Sequence, residues 1–379
     1  MGYLAYPVDM KLIVQIKLMP TDAQRAELLR TMETFNSACN SIAGAAFAER
    51  TANRVRLQKK VYGRIRAEFG LSAQMTVRAV AKVCDAYRRD LRVQPRFRLK
   101  GAMPYDERML SYRGDESVSI LTLGGRQHVL FHVAAWQRER LRMRRGQAEL
   151  VFRRGAFYLL QTVEVEAPEE RTAESFLGVD LGIVHIAVDS DGEVFSGAQL
   201  NGLRHRYHRI RRRLQKKGTK SAKRLLRTRR DRESRFARDV NHVVSKRLVA
   251  KAKDTGRGIA LEDLKGIRAR ITARRAHRRQ LSSWGFAELR EFVEYKAVLS
   301  GVQVVFVDPR HTSQTCPACG CVDRRSRPSR GVFLCVGCGF GGPADTIAAR
   351  NIASRAAVSP PHAEGPQPFC KPPTSGGGR

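Results

Sequence analysis

Three acids and two cysteine pairs are interleaved in the second half of the chain, and their order constrains the fold more than any other feature. Asp180 lies in FLGVDLGIVHIAV, Glu262 in GIALEDLKGI and Asp345 in GGPADTIAARNIA. Between the second and third acids, Cys316-Pro-Ala-Cys319-Gly and Cys335-Val-Gly-Cys338-Gly form a C-x2-C-x15-C-x2-C pattern. That spacing suits a four-thiolate zinc site. Zinc held by four protein ligands has no open position, so the expected role is structural. Gly320 and Gly339 end the two knuckles, where a tight turn favours a residue without Cβ. Cys321 sits beside the first knuckle and is read as a spectator. The chain must therefore leave an acid-bearing strand, build a small metal-stapled ribbon, and return with a third acid.

Along FLGVDLG, Leu177, Val179 and Leu181 share one strand face, while Gly178, Asp180 and Gly182 share the other. The flanking glycines read as room for metal ions and a phosphodiester. Glu262 follows Ile259-Ala260-Leu261 on a second short strand. Asp345 follows Gly341-Gly342-Pro343 at a helix start, where the helix dipole favours an acid. Taken singly, such acids are ordinarily solvated or capping residues. Asp189 and Asp191 are assigned to a turn, and Asp263 to the opposite strand face. As a set, Asp180, Glu262 and Asp345 suit two Mg2+ ions, one activating water and the other stabilising the leaving oxygen. Acids and ribbon together point to a metal-dependent nuclease.

A chain of 379 residues is expected to form two or three packed units, and 42% hydrophobic residues can fill a core. The net charge of +34 calls for a polyanionic partner. Nucleic acid is favoured over a membrane, because no run approaches the roughly 18 apolar residues of a span and the N-terminus lacks the order of a signal peptide. The charge concentrates between Arg204 and Arg232, with fifteen Lys or Arg against one acid, Asp231. Leu203, Tyr207, Ile210 and Leu214 keep a helical stripe through it. Arg204, Arg211, Arg212, Arg213, Lys216 and Lys217 are the candidate phosphate contacts, because like charges at i,i+4 repel without a counter-ion. Cys39 and Cys84 fall on apolar helix faces. With no small-domain disulfide framework, the expected compartment is reducing, the cytoplasm.

Residues 11–18 alternate as a half-buried strand, which Pro20 stops, and Thr21 with Gln24 forms a capping box. Helical spacing runs from there to about residue 89, including 73–87. Short β-rich runs broken by Gly and Asp turns follow to residue 166, as an antiparallel sheet or small barrel that strand 11–18 joins. Residues 167–174 read as a linker. FLGVDLG and HIAVDSDGEVFSG form a hairpin-like pair with Ser190-Asp191-Gly192 as its turn. Helices are expected over 199–230, 233–254 and 284–300, and strands at GIALEDL and VQVVFVD. The ribbon spans 311–341, a last helix begins at Asp345, and residues 357–379 read as a disordered tail.

These stretches resemble the TnpB transposon-associated nucleases, relatives of the compact type V CRISPR effectors. The resemblance is carried by KLIVQIKLMPTDAQRAELLRTMETFNSACN, GLSAQMTVRAVAKVCDAYR, FLGVDLGIVHIAV, RDVNHVVSKRLVAKA, IALEDLKGIR, WGFAELREFVEYKA, DPRHTSQTCPACG and FLCVGCGF…ADTIAARNI, from about Leu12 to Arg355. It implies a multidomain α/β fold with a β-barrel. A RuvC, RNase H-like nuclease domain (171–310 and 342–356) would carry Asp180, Glu262 and Asp345 as metal ligands. A zinc ribbon (311–341), with zinc on Cys316, Cys319, Cys335 and Cys338, would bind target nucleic acid. A wedge barrel (1–20 and 90–170) would hold an inserted helical recognition bundle (21–89).

The implied activity is RNA-guided endonuclease cleavage of double-stranded DNA beside a short adjacent motif. The guide RNA would come from a transposon end or a CRISPR locus, in a prokaryotic cytoplasm beside the nucleoid, and Gln74 is a motif-reading candidate. Ile347 departs from the pattern, standing where the family has Asn, so a polar group near the third acid is expected to be lost. A compact CRISPR effector shares the same chemistry. A guided repressor that does not cut would be expected to lose one of the acids, and a transposase would join ends without a guide.

Overall fold

The structure is a computed structural model that describes residues 9–143, 145–229, 232–264 and 285–358. The chain divides between Glu166 and Ala167 into two compact units. The sequence readings of the first eight residues and of the tail beyond Val358 lie outside the described residues.

The first unit is organised by β1 (Asp9–Met19). Val14, Ile16 and Leu18 are buried, while Ile13, Gln15 and Lys17 between them face outward. β1 ends at Pro20, and the Thr21–Gln24 capping box starts α1 (Asp22–Ala48). α2 (Arg54–Phe69) stops at Gly70 in the left-handed conformation, and Ser72 caps α3 (Ala73–Tyr87). The strands that follow are β2 (Met103–Tyr105), β3 (Leu110–Arg113), β4 (Ser117–Thr122) and β5 (Gly125–His132). The short α4 (Ala135–Leu141) precedes β6 (Arg145–Arg153) and β7 (Ala156–Glu166).

The sheet order is β2-β6-β7-β1-β5-β4-β3, with β1 central between antiparallel partners. The expected barrel is therefore a nearly closed sheet in which β2 and β3 remain edges. Its curl brings Tyr112 on β3 within 3.0 Å of Gln161 on β7, to which it donates a hydrogen bond. Leu28, Met32, Phe35, Cys39 and Ile42 of α1 share one core with the inward residues of the strands. The helices and the sheet thus form one unit.

The second unit holds a five-stranded sheet ordered β10-β9-β8-β11-β12. Its strands are β8 (Phe176–Asp180), β9 (His185–Asp189), β10 (Val194–Ser196), β11 (Gly258–Glu262) and β12 (Val304–Val307). β8, β11 and β12 run parallel, whereas β9 and β10 continue antiparallel from β8. The expected hairpin is corrected in detail. A loop over 181–184 joins β8 to β9, and Ser190-Asp191-Gly192 turns β9 into β10. Asp189 secures that turn by accepting from the N–H groups of Asp191 and Glu193 at 3.0 and 2.9 Å, and it pairs with Lys251 at 2.5 Å.

The basic stretch is likewise two helices rather than one. α5 (Ala198–Lys217) ends on Gly218 at φ 65°, and Thr219 caps α6 (Lys220–Arg229), accepting from the Ala222 N–H at 3.2 Å. A left-handed residue terminates a helix because its carbonyls can then find partners without continuing the spiral. α7 (Arg232–Asp254) and α8 (Phe286–Val298) cover one sheet face, where Leu177, Val179, Ile259 and Leu261 meet Leu248 and Val293. α9 (Ala344–Val358) covers the other face, where Ala260 and Val307 meet Ile352 and Ala356.

Gly178 faces α9. A Cβ there would lie 2.0 Å from the Ala349 carbonyl oxygen and 2.6 Å from the Ala353 nitrogen. The glycine thus admits helix backbone, not the metal ion expected from the sequence. Gly182 likewise makes room for the His185 carbonyl. Between β12 and α9 the ribbon folds on β13 (Val332–Leu334) and β14 (Gly341–Pro343), an antiparallel pair.

Candidate functional site

Asp180 and Glu262 are the last residues of adjacent parallel strands. Leu261 and Val179 are paired in register one step earlier, so the two acids leave the sheet side by side at its carboxyl edge. Asp345 enters from above as the second residue of α9, whose close seat on Gly178 carries it to β8. Asp180 is half-buried, and its carboxyl is pushed up to about 7. Burial is the main cause, followed by the negative charges of Glu262 and Asp345, against a smaller opposing pull from Arg327 and the Leu181 N–H. Glu262 is also raised by burial, although a hydrogen bond from Thr312 and the charge of Arg355 resist this. The Thr312 hydroxyl donates to Glu262 Oε1 at 2.5 Å. Asp345 has His185 Nδ1 at 2.9 Å from Oδ2 and Arg327 at 3.7 Å from Oδ1.

Asp180 is thus within electrostatic reach of both other acids, whose charges raise it along with burial. Oxygen donors under that pressure fit a hard divalent cation. They stand wider apart than the cysteines. Among the described residues, only Cys316, Cys319, Cys335 and Cys338 form a group of possible ligands all within 4.8 Å of one another.

The sulfurs of Cys316 and Cys338 are 3.6 Å apart, as are those of Cys319 and Cys335. A tetrahedron with metal–sulfur bonds of about 2.3 Å has edges of about 3.8 Å, so the quartet is compatible with zinc. The knuckles close through N–H bonds from Gly320 to the Cys316 carbonyl at 2.9 Å and from Gly339 to the Cys335 carbonyl at 3.0 Å. Both glycines have positive φ, 71° and 75°. Cys321 is not part of the quartet, and its buried side chain packs in the ribbon's small core with Phe333, Ala344 and Ile347.

Ile347 corrects another expectation. It is 2% exposed and lies in that ribbon core two residues along α9 from Asp345, so it faces the ribbon rather than the acids. The polar neighbours of Asp345 come instead from His185 and Arg327. Asn351, one turn on, donates to the carbonyls of Thr312 and Thr315 at 2.7 and 2.8 Å, tying α9 to the root of the ribbon. Sequence reasoning misses His185, Thr312 and Arg327, because no spacing rule links them to an acid 160, 50 or 18 residues away.

On α5, Arg211, Arg212, Arg213, Lys216 and Lys217 are exposed, and Arg211 pairs with Glu233 at 3.2 Å. Leu203, Tyr207, Ile210 and Leu214 form the half-buried side of the same helix. Arg204 is half-buried and lines a small cavity with Asn201 and Asn241. Gln74, in the first unit, donates from its side-chain amide to Asp106, which also accepts from Arg78 Nε at 2.7 Å.

Comparison with known proteins matches two regions of the chain. The profile described as "Cas12f1-like, TNB domain" covers residues 286–352, and one described as "Probable transposase" covers 160–266. A CRISPR-associated endodeoxyribonuclease Cas12f1 of Sulfoacidibacillus thermotolerans is 38% identical over 125 residues, which are 33% of this chain and 28% of that protein. A TnpB-like protein of Methanocaldococcus jannaschii is 29% identical over 191 residues, covering 47% of this chain and 68% of the relative. The chain therefore spans under a third of the first of these relatives and about two thirds of the second. A solved Cas12f1 chain, in a complex with sgRNA and target DNA, superposes with a TM-score of 0.60 at 13% identity, over 86% of this chain and 82% of that one. That superposition is a likeness of fold.

Proposed function

The chain belongs to the TnpB family, related to the compact type V effectors, and on that premise we propose that it is an RNA-guided DNA endonuclease. The observation that carries the reading is the convergence of Asp180, Glu262 and Asp345 at one sheet edge, with burial and mutual repulsion raising the first. Two Mg2+ ions on these acids would supply an activated water and charge neutralisation at the leaving oxygen. The chain's own part is to hold the oxygens in place. Parallel pairing of β8 and β11 fixes the first two acids, Thr312 orients Glu262, and α9 seated on Gly178 delivers the third. Arg327 brings a positive charge to Asp345 where a scissile phosphate would add negative charge.

In this reading the five-stranded sheet with its helices (171–310 and 342–356) is a RuvC, RNase H-like nuclease domain. The 311–341 ribbon is a structural zinc element that binds target nucleic acid. The strands of the first unit form the wedge, and helices α1–α3 form the recognition insertion, where Gln74, held on Asp106, reads the adjacent motif. The guide pairs with the target while the protein grips the heteroduplex by shape and charge. The exposed cations of α5 line a strand's backbone. Prokaryotic cytoplasm beside the nucleoid is the setting, and among the described residues no helix is long and apolar enough to cross a membrane.

Asp180→Ala tests the assignment in the complex purified with its RNA. Cleavage of a matched duplex is expected to fall below detection, while guided binding stays within a few-fold of wild type. Cutting that survives the substitution would sink the catalytic assignment. Loss of binding together with cutting would point to a damaged fold.

A further inference from the structure

We propose that His185 is a positioning residue for the third acid, holding one oxygen of Asp345 so that the other is presented to a cation. The proposal rests on the reading of Asp180, Glu262 and Asp345 as cation ligands. It concerns the two oxygens of a single carboxylate, which the surroundings make unequal. Nδ1 of His185 lies 2.9 Å from Oδ2. An ionised carboxylate can only accept, so the ring carries a proton on Nδ1 and donates it there. Oδ1 has Arg327 at 3.7 Å, beyond hydrogen-bond length, and is the oxygen left open to a metal ion.

Burial cannot do this orienting. The Asp345 side chain is 32% exposed and that of His185 38% exposed. A carboxylate in the first turn of a helix, about a third exposed, would otherwise sample several rotamers. Nor can the helix supply a polar neighbour, since the residues one turn on from Asp345 are Ala348 and Ala349.

The histidine, by contrast, stands on a fixed base. It opens β9 just after a loop closed at three points. Gly182 N–H reaches the Ile186 carbonyl at 3.3 Å, Gly197 N–H reaches that of Val184 at 2.8 Å, and the Asn201 amide reaches that of Ile183 at 2.9 Å. The His185 carbonyl packs so tightly over Gly182 that a Cβ there would lie 2.6 Å from its oxygen. A ring anchored in this way transfers the rigidity of the sheet to an acid delivered by a helix. Partners of this kind behind a metal ligand typically contribute tenfold or more to metal affinity.

The test uses the full chain loaded with zinc, with Mn2+ as the probe and its binding read by electron paramagnetic resonance. His185→Ala is expected to weaken Mn2+ binding by about tenfold, with zinc content and unfolding midpoint unchanged. His185→Asn, whose side-chain N–H reaches the place of Nδ1, should restore affinity to within a few-fold of wild type. Pulsed spectra of wild type should lack the coupling of a directly bound imidazole nitrogen. Wild-type affinity in His185→Ala would overturn the proposal, as would a His185→Asn variant no better than His185→Ala. A directly bound nitrogen would overturn it too, by making His185 a ligand. Asp180→Ala separates the two levels. If Mn2+ binding is indifferent to Asp180, the carboxylate reading itself falls, whatever His185 does.

Discussion

At the scale of single residues, Asp180 carries the most specific consequence. Its carboxyl is raised to about 7 because burial, and then Glu262 and Asp345, disfavour its charge. An unfolded chain releases that proton near pH 4, so between the two values the folded protein holds a proton that the unfolded chain does not. The associated stability is complete below the unfolded value and is lost as pH rises through about 7. Without added divalent cations, the protein should therefore melt at a lower temperature at pH 8 than at pH 6. Asp180→Asn should flatten that difference, and Mn2+ should restore wild type at pH 8. Scanning fluorimetry across this range decides it, and an unchanged slope in Asp180→Asn would remove Asp180 as the cause. Asp180, Glu262 and Asp345 are legible on their elements because each follows a local pattern of apolar strand or helix start. What faces Gly178 is not legible, since the cover of that strand face comes from a helix about 170 residues away. His185, Thr312 and Arg327 escape for the same reason.

At the scale of elements, the break at Gly218 changes how the basic stretch works. One continuous helix would spread its cations around a single axis. Two helices meeting at a glycine instead gather α5's exposed Arg212, Arg213, Lys216 and Lys217 just before the turn. Arg211 is partly engaged by Glu233, and Arg204 is drawn inward, so on the proposed reading these two should contribute less to phosphate binding. Charge counting cannot foresee this difference, being blind to which side of a helix is packed. Neutralising the four exposed cations to Gln should weaken nucleic-acid binding most at low salt. The slope of log affinity against log salt should shrink by about 0.7–0.9 for each phosphate that is no longer neutralised. An unchanged slope would assign the stretch to solvent alone.

At the scale of the whole molecule, the two units have separate hydrophobic cores, one shared by α1–α3 with the seven strands and the other built on the five-stranded sheet. The cysteine quartet belongs entirely to the second. If the quartet holds zinc as proposed, stripping it with a chelator should lower the melting transition of that unit and leave the other in place, which calorimetry would resolve. Both transitions moving together would contradict separate cores. Mn2+ affinity should fall at the same time, because Ala344 and Ile347, on either side of Asp345, pack in the ribbon.

The position of α9 has a consequence for biosynthesis. A chain emerging from the ribosome releases Asp180 first and Glu262 some eighty residues later. Until α9 arrives, the glycine face of β8 has nothing to receive it. The chain reaches that helix only after the ribbon has been made, so on the proposed reading the three-acid site stays incomplete through most of synthesis. The last described helix to leave the ribosome is the one that brings the third acid to the sheet edge.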